Sequence, residues 1–164
     1  MDGSQGPVHD PLVAVGTNRR TLEELLEAAR ARIEQLEPTE AFAATKGGAL
    51  LIDIRSDLDR ERDGIIPGSL HIPRTVLEWR LDPDSSWRNP YVGGLGEQIV
   101  LVCDHGCSSV FAAATLVDLG FERVGEVVGG FAAWCEAGLP TAPAPSPRYR
   151  RHPGEPAGMR PPDE

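Results

Sequence analysis

The sequence predicts an α/β domain with a mainly parallel sheet. Two observations carry this. Short apolar runs bounded by glycines and charges (Ala49–Asp53 and Ile99–Val102) look like strands buried on both faces. Segments of helical period alternate with them along the chain, the pattern of parallel strands joined by helical crossovers.

Taken in order, residues 1–20 are rich in Gly, Pro and polar residues without periodicity, and read as a disordered arm. Thr21-Leu22-Glu23-Glu24 has the form of a capping box, with Thr21 as N-cap. Leu22, Leu25, Leu26, Ala29, Ile33 and Leu36 then fall on one face of a helix expected over 21–37. Pro38 is expected to close it, and Thr39 to cap a second helix over Glu40–Lys46 that ends at Gly47-Gly48. Ala49–Asp53, Leu70–Ile72, Ile99–Val102 and Val124–Val128 are the strand candidates, the third being the clearest because it is β-branched and uncharged. Ser109–Leu119 is helical in pattern with Gly120 beyond its end, and Phe131–Ala137 is a shorter helix before Gly138. Residues 141–164 are too poor in apolar side chains to pack and read as a disordered tail containing Pro and Arg.

The 164 residues suffice for one domain with a core, here residues 21–140. Hydrophobic residues make up 40% and aromatic residues only 5%, so aliphatic side chains must build most of the interior. A formal charge of −9 opposes a nucleic-acid surface, which needs a basic face. No apolar run is long enough to cross a membrane, and the N-terminus lacks the basic start and apolar stretch of an export signal. Three cysteines are an odd count that does not suggest a disulfide framework, and a reducing cytoplasm is the expected location.

The informative segment is Ile99-Val-Leu-Val-Cys103-Asp104-His105-Gly106-Cys107-Ser108-Ser109. A buried strand runs into a short loop that begins with Cys103, and a helix follows directly. Ligands of open parallel sheets bind at the carboxyl ends of strands, where this cysteine falls. A loop curling from strand to helix points several backbone N–H groups into one concavity, a nest for an anion. Gly106 can take the positive φ such a curl needs, and Ser108 and Ser109 can cap the helix or donate hydroxyls. A thiol there ionises more readily than a free one, because the amide dipoles favour thiolate. Cys103 is therefore the candidate nucleophile, and Asp104 to Ser109 are the candidate substrate-binding loop.

That loop, Cys-x-x-Gly followed by Ser-Ser and a helix with Ala-Ala, resembles the signature of the rhodanese-like sulfurtransferase family. Three further motifs in family order extend the resemblance from about Thr39 to Pro140. They are Asp53-Ile-Arg55, Gly64-Ile-Ile-Pro-Gly-Ser-Leu-His-Ile-Pro73, and Gly129-Gly130-Phe131-x-x-Trp134 with Gly138-Leu-Pro140. The resemblance implies a three-layer fold with a five-stranded, mainly parallel sheet and helices on both faces, the helix at 21–37 being an addition. It implies a persulfide on Cys103, loaded from a small sulfur-containing anion such as thiosulfate and discharged to cyanide or a thiol, a protein thiol included. No metal or cofactor is expected. Arg60, seven residues after Asp53, stands in the region where family members place a basic residue facing the anion, and Arg55 is a second candidate of that kind.

The sequence departs from the family pattern at three positions. Ile65 stands where the family has His, Ser108 where many members have Arg, and Cys107 is unusual within the loop. Cys107 admits two readings, a resolving thiol for Cys103 and a solvent-facing residue without a role. The alternatives to sulfur transfer are thus a non-catalytic binding module and a Cys103/Cys107 redox switch. Rhodanese-fold phosphatases resemble the chain in fold but use Cys-x5-Arg, and the sixth residue after Cys103 is Ser109.

Overall fold

The computed structural model describes residues 18–145, 156–159 and 162. Six helices and five strands succeed one another among them: α1 (Leu22–Arg30), β1 (Glu34–Leu36), α2 (Pro38–Lys46), β2 (Leu50–Asp53), α3 (Asp57–Asp63), β3 (Leu70–His71), α4 (Leu77–Leu81), β4 (Gln98–Val102), α5 (Ser108–Asp118), β5 (Arg123–Val127) and α6 (Gly130–Glu136). A single 3₁₀ turn, Arg74–Val76, leads into α4. The strands form one sheet in the order β1-β5-β4-β2-β3, and every neighbouring pair is parallel. The α/β prediction and its five parallel strands hold.

Two apolar clusters lie on opposite faces of the sheet. On one, Ile52, Ile99 and Leu101 pack with Leu77 and Leu81 of α4 and with Ala112, Ala113 and Leu116 of α5. On the other, Leu51, Val100, Val102 and Val127 pack with Ala41 of α2 and with Phe131 and Trp134 of α6. Adjacent strand residues thus serve opposite layers, which is why these strands are apolar throughout rather than alternating. α1 adds a third, smaller cluster through Leu26 and Ala29 against Val110 and Ala114 of α5.

The capping box forms as expected: Glu24 N–H donates to Thr21 Oγ1 at 3.2 Å, and Thr21 N–H to Glu24 Oε2 at 2.7 Å. The helix expected over 21–37 is, however, only half as long. It stops at Arg30, and Glu34–Leu36 becomes edge strand β1, pairing with Gly125, Glu126 and Val127. The exposed edge of β5 offers backbone groups that must be paired, and that demand outweighs continued helix. Gly125 admits the new strand: a Cβ there would stand 2.9 Å from the Glu34 carbonyl oxygen. Pro38 accordingly opens α2 at its first position instead of closing α1, a place where its missing N–H costs nothing. Thr39 lies inside α2, and Glu40 takes the capping role by accepting the Glu37 N–H at 2.9 Å.

The arm at 1–17 lies outside the described residues. Of residues 141–164 the structure describes 141–145, 156–159 and 162. Ala142 exchanges both backbone hydrogen bonds with Ile65, at 2.8 and 2.9 Å. Asn89 Nδ2 donates to the Gly158 carbonyl at 2.6 Å and Arg80 Nε to that of Ala157, so backbone carbonyls rather than apolar side chains dock this segment.

Trp134 has no exposed surface, meets Phe42 edge to face at 5.8 Å, and donates its Nε1–H to Pro140 at 2.9 Å. Trp134→Ala should lower unfolding free energy by about 3–5 kcal/mol, read from denaturant titration.

Candidate active site

The register of the sheet brings Asp53 beside Val102, so Cys103 follows β4 next to the end of β2. Here the chain order reverses: from β2 it moves outward to β3, then returns to β4 on β2's other side. This is the switch point at which open parallel sheets place their ligands. The class defined by these features is a parallel-sheet α/β protein presenting a cysteine at the switch point, in a loop that enters a helix.

Cys103 is buried, 5% exposed, and joined to no other cysteine among the described residues. Gly106, with φ of 74°, turns the loop so that its N–H donates to Cys103 Sγ at 3.2 Å. Ser109 Oγ lies 3.2 Å from the same sulfur. Burial pushes the thiol pKa up, but hydrogen bonds from the Ser109 side chain and amide, the Ser108 side chain and the Cys107 amide outweigh it. The net direction is down, as the amide-nest argument requires.

The loop is held from outside by the first turn of α6. Phe131 N–H donates to the Cys103 carbonyl at 2.7 Å, and Ala132 N–H to that of Asp104 at 3.0 Å. These are orphan donors of a helix N-terminus, satisfied by the loop itself. The approach is close enough to require glycines: a Cβ on Gly130 would collide with the Cys103 carbonyl oxygen, and one on Gly106 would sit 2.7 Å from Gly129 N.

The two candidate arginines lie in a buried ionic cluster around Asp53. Arg55 grips Asp53 with two side-chain hydrogen bonds, 3.0 Å from Nε and 2.8 Å from Nη2, and donates to the Gly64 carbonyl at 2.9 Å. Its guanidinium stacks on the Phe131 ring at 3.7 Å. Its buried Nη1 has no hydrogen-bond partner and stands 4.0 Å from Asp104 Oδ1. Arg60, expected to face an anion, is buried with its Nε 3.1 Å from Asp53 Oδ2. The shared carboxylate draws both arginines into a scaffold behind the loop, because a buried charge needs a partner.

Asp104 is half-buried, and burial followed by the charge of Asp59 raises its pKa. His105, Cys107 and Ser108 are exposed. Asp104 and His105 border an open cavity of about 360 Å³ together with Arg62, Asp63, Phe131, Ala132 and Cys135. Arg62, absent from the sequence expectations, is a cation at this mouth, paired with Asp63 at 2.6 Å and Asp59 at 3.2 Å. Ile65 is buried in the core, 1% exposed, in keeping with no chemical role. Ser109 is buried, and its hydroxyl donates to Glu126 Oε2 at 2.7 Å. Glu126 was the other residue the expectations missed, although one acid inside Val124-Gly-Glu-Val-Val128 breaks an otherwise uncharged strand.

Comparison with known proteins follows the same lines. The rhodanese-like domain family model matches residues 37–137, and the chain belongs to that family. It is 31% identical over 108 residues to a thiosulfate sulfurtransferase GlpE of Haemophilus influenzae strain PittEE, covering 65% of this chain and 92% of that protein. It is 35% identical over 101 residues to the enzyme of the same name from Stutzerimonas stutzeri, covering 62% and 84%. Among solved structures, a protein of unknown function from Rhodopseudomonas palustris, described as a possible tyrosine phosphatase, superposes with a TM-score of 0.69 at 33% identity, over 85% of this chain and all of that one. A polysulfide-sulfur transferase homodimer from Wolinella succinogenes shares the fold, with a TM-score of 0.59 at 24% identity over 78% and 90% of the two chains.

Two measurements check this geometry. Asp53→Asn should cost about 3–5 kcal/mol of stability in chemical denaturation, because it strips the shared charge from two buried guanidiniums. Alkylation of Cys103 by iodoacetamide should begin to rise with pH through an inflection below the roughly 8.5 of a free thiol. A profile with no inflection below that value would contradict the amide cradle.

Proposed function

We propose that this chain is a thiosulfate sulfurtransferase working through a persulfide on Cys103. The observation that carries the proposal is the Cys103 sulfur held 3.2 Å from the Gly106 N–H at the mouth of α5, with its pKa lowered. Family membership and the GlpE relatives support the same activity.

In the first half-reaction the Cys103 thiolate attacks the outer sulfur of thiosulfate. A new S–S bond forms, the S–S bond of thiosulfate breaks, and sulfite leaves with the electron pair. Cys103 now carries S–S⁻, and the loop amides face the added negative charge. In the second half-reaction cyanide or a thiolate attacks the terminal sulfur, the S–S bond breaks, and the Cys103 thiolate returns. Splitting one transfer into two displacements is covalent catalysis, with the amides as electrostatic stabilisers. No metal or redox cofactor enters either step.

Because the chain is strongly acidic overall, the anionic donor is received through local dipoles rather than by net charge. Arg62 lines the open cavity beside Asp104 and His105, and it is shared with Asp59 and Asp63. The phosphatase description given to the Rhodopseudomonas palustris protein does not suit this loop. The sixth residue after Cys103 is Ser109, buried against Glu126, so no arginine fork is available there for a phosphoryl group.

Incubation with thiosulfate should add one sulfur mass to the peptide containing Cys103, and cyanide should remove it. Cys103→Ser should abolish both the mass gain and thiocyanate formation. Turnover by that variant would sink the mechanism. A Cys103–Cys107 disulfide formed with oxidant, with no persulfide under any donor, would replace it by the redox switch.

A further inference from the structure

A buried acid lies behind the active-site thiol, and the two displacements of sulfur transfer give it no role. Glu126 on β5 is 2% exposed, in a strand whose other inward residues are apolar. Its Oε2 accepts the Ser109 hydroxyl at 2.7 Å, and Ser109 Oγ lies 3.2 Å from Cys103 Sγ. Three side chains from the end of β4, the first turn of α5 and the middle of β5 therefore form one continuous hydrogen-bonded line.

We propose that Glu126 and Cys103 share a single proton through Ser109, so that Glu126 governs when the thiol becomes a thiolate. The inference rests on Cys103 being the working thiol. A serine hydroxyl has one proton, so it cannot donate to both neighbours at once. With Glu126 ionised, Ser109 donates to the carboxylate and the Cys103 thiol donates to Ser109. In the alternative arrangement the S–H bond breaks as its proton passes to Ser109 Oγ, and the former Ser109 proton passes to Glu126 Oε2. Glu126 is then a neutral acid donating to Ser109, and Ser109 donates to the Cys103 thiolate. Proton count and net charge are the same in both arrangements, so the buried line never holds two negative charges while it shares that proton. Holding two would be costly there.

The surroundings suit such sharing. Burial raises the Glu126 pKa, while hydrogen bonds from Ser109 and Gln35 of β1 and the charge of Arg30 on α1 act the other way. The thiol is shifted downward by Ser109, Ser108 and the loop amides against its burial. The Ser109 proton can serve only one of the two groups at a time, the carboxylate in one arrangement and the thiolate in the other. Glu126 acts through Ser109 and is a positioning residue for the reaction.

The test is the pH profile of Cys103 alkylation in the full chain carrying Cys107→Ser and Cys135→Ser, with no sulfur donor present. The parent should titrate in two steps belonging to the pair. Glu126→Gln keeps a donor toward Ser109 but cannot ionise. It should show one step, displaced downward by about one pH unit from the parent's upper step, giving roughly tenfold faster alkylation between the two values. Ser109→Ala should show one step displaced upward, because the thiolate loses its hydroxyl donor. A Glu126→Gln profile that superimposes on the parent overturns the proposal, whatever happens to thermal stability.

A second measurement needs no substitution at the site. The carboxylic acid C=O stretch of Glu126, followed by infrared titration, should change from two steps to one once Cys103 is alkylated, and an unchanged titration would equally overturn the coupling. Neither arm uses thiosulfate, so a chain that takes no sulfur fails the functional proposal while leaving this one to its own result.

Discussion

The contact between the Cys103 loop and the first turn of α6 is the constraint on which the site depends. Two helix N-terminal amides, those of Phe131 and Ala132, hold the carbonyls of Cys103 and Asp104. With those carbonyls tied outward, the loop curls so that its own N–H groups point inward at the sulfur. The glycines at 106 and 130 are needed in this arrangement because the two turns approach within the volume of a methyl group. Gly130, although part of α6, therefore does as much for the thiol's surroundings as any residue of the loop.

A second layer of support comes from Asp53. It ends β2 beside β4, holds both Arg55 and Arg60, and through Arg55 reaches Gly64 and the face of Phe131. Phe131 is thereby fixed from both sides, by its backbone to Cys103 and by its ring to Arg55. Motifs separated by tens of residues in the chain, Asp53-x-Arg55, the Cys103 loop and Gly129-Gly130-Phe131, turn out to be three faces of one packed junction. Each buried arginine is paired with the Asp53 carboxylate, in a place where an uncompensated charge would be expensive.

Much of the fold was legible in the chain. Buried strands read as continuous apolar runs, so β2 and β4 and the parallel sheet were recognisable from Leu50–Asp53 and Ile99–Val102. Elements without such a signal were not. α3 has the sequence Asp-Leu-Asp-Arg-Glu-Arg-Asp, with no apolar stripe, and is organised by the Ser56 cap and by Arg60 reaching Asp53. Leu36 fits the helical spacing that runs from Leu22, and only the open edge of β5 makes Glu34–Leu36 a strand. The tail read as disordered because it has little to bury, yet Ala157 and Gly158 dock through carbonyls that no composition records.

By itself the sequence determined the class of domain, the position of Cys103 at a strand end, and the dipolar character of the loop around it. Those follow from local order: an apolar run, a glycine three residues after the cysteine, and a helix directly behind. Tertiary structure alone decided what each charged residue near the thiol does. Arg60 was drawn to Asp53, and Ser109 was turned inward to bridge Cys103 and Glu126. Glu126 is 23 positions from Cys103 in the chain and a single hydroxyl away in space. The physical reason is that buried charges and hydroxyls are assigned by the partners packing brings within about 3 Å, and in a parallel sheet those partners come from strands and helices that are remote in sequence.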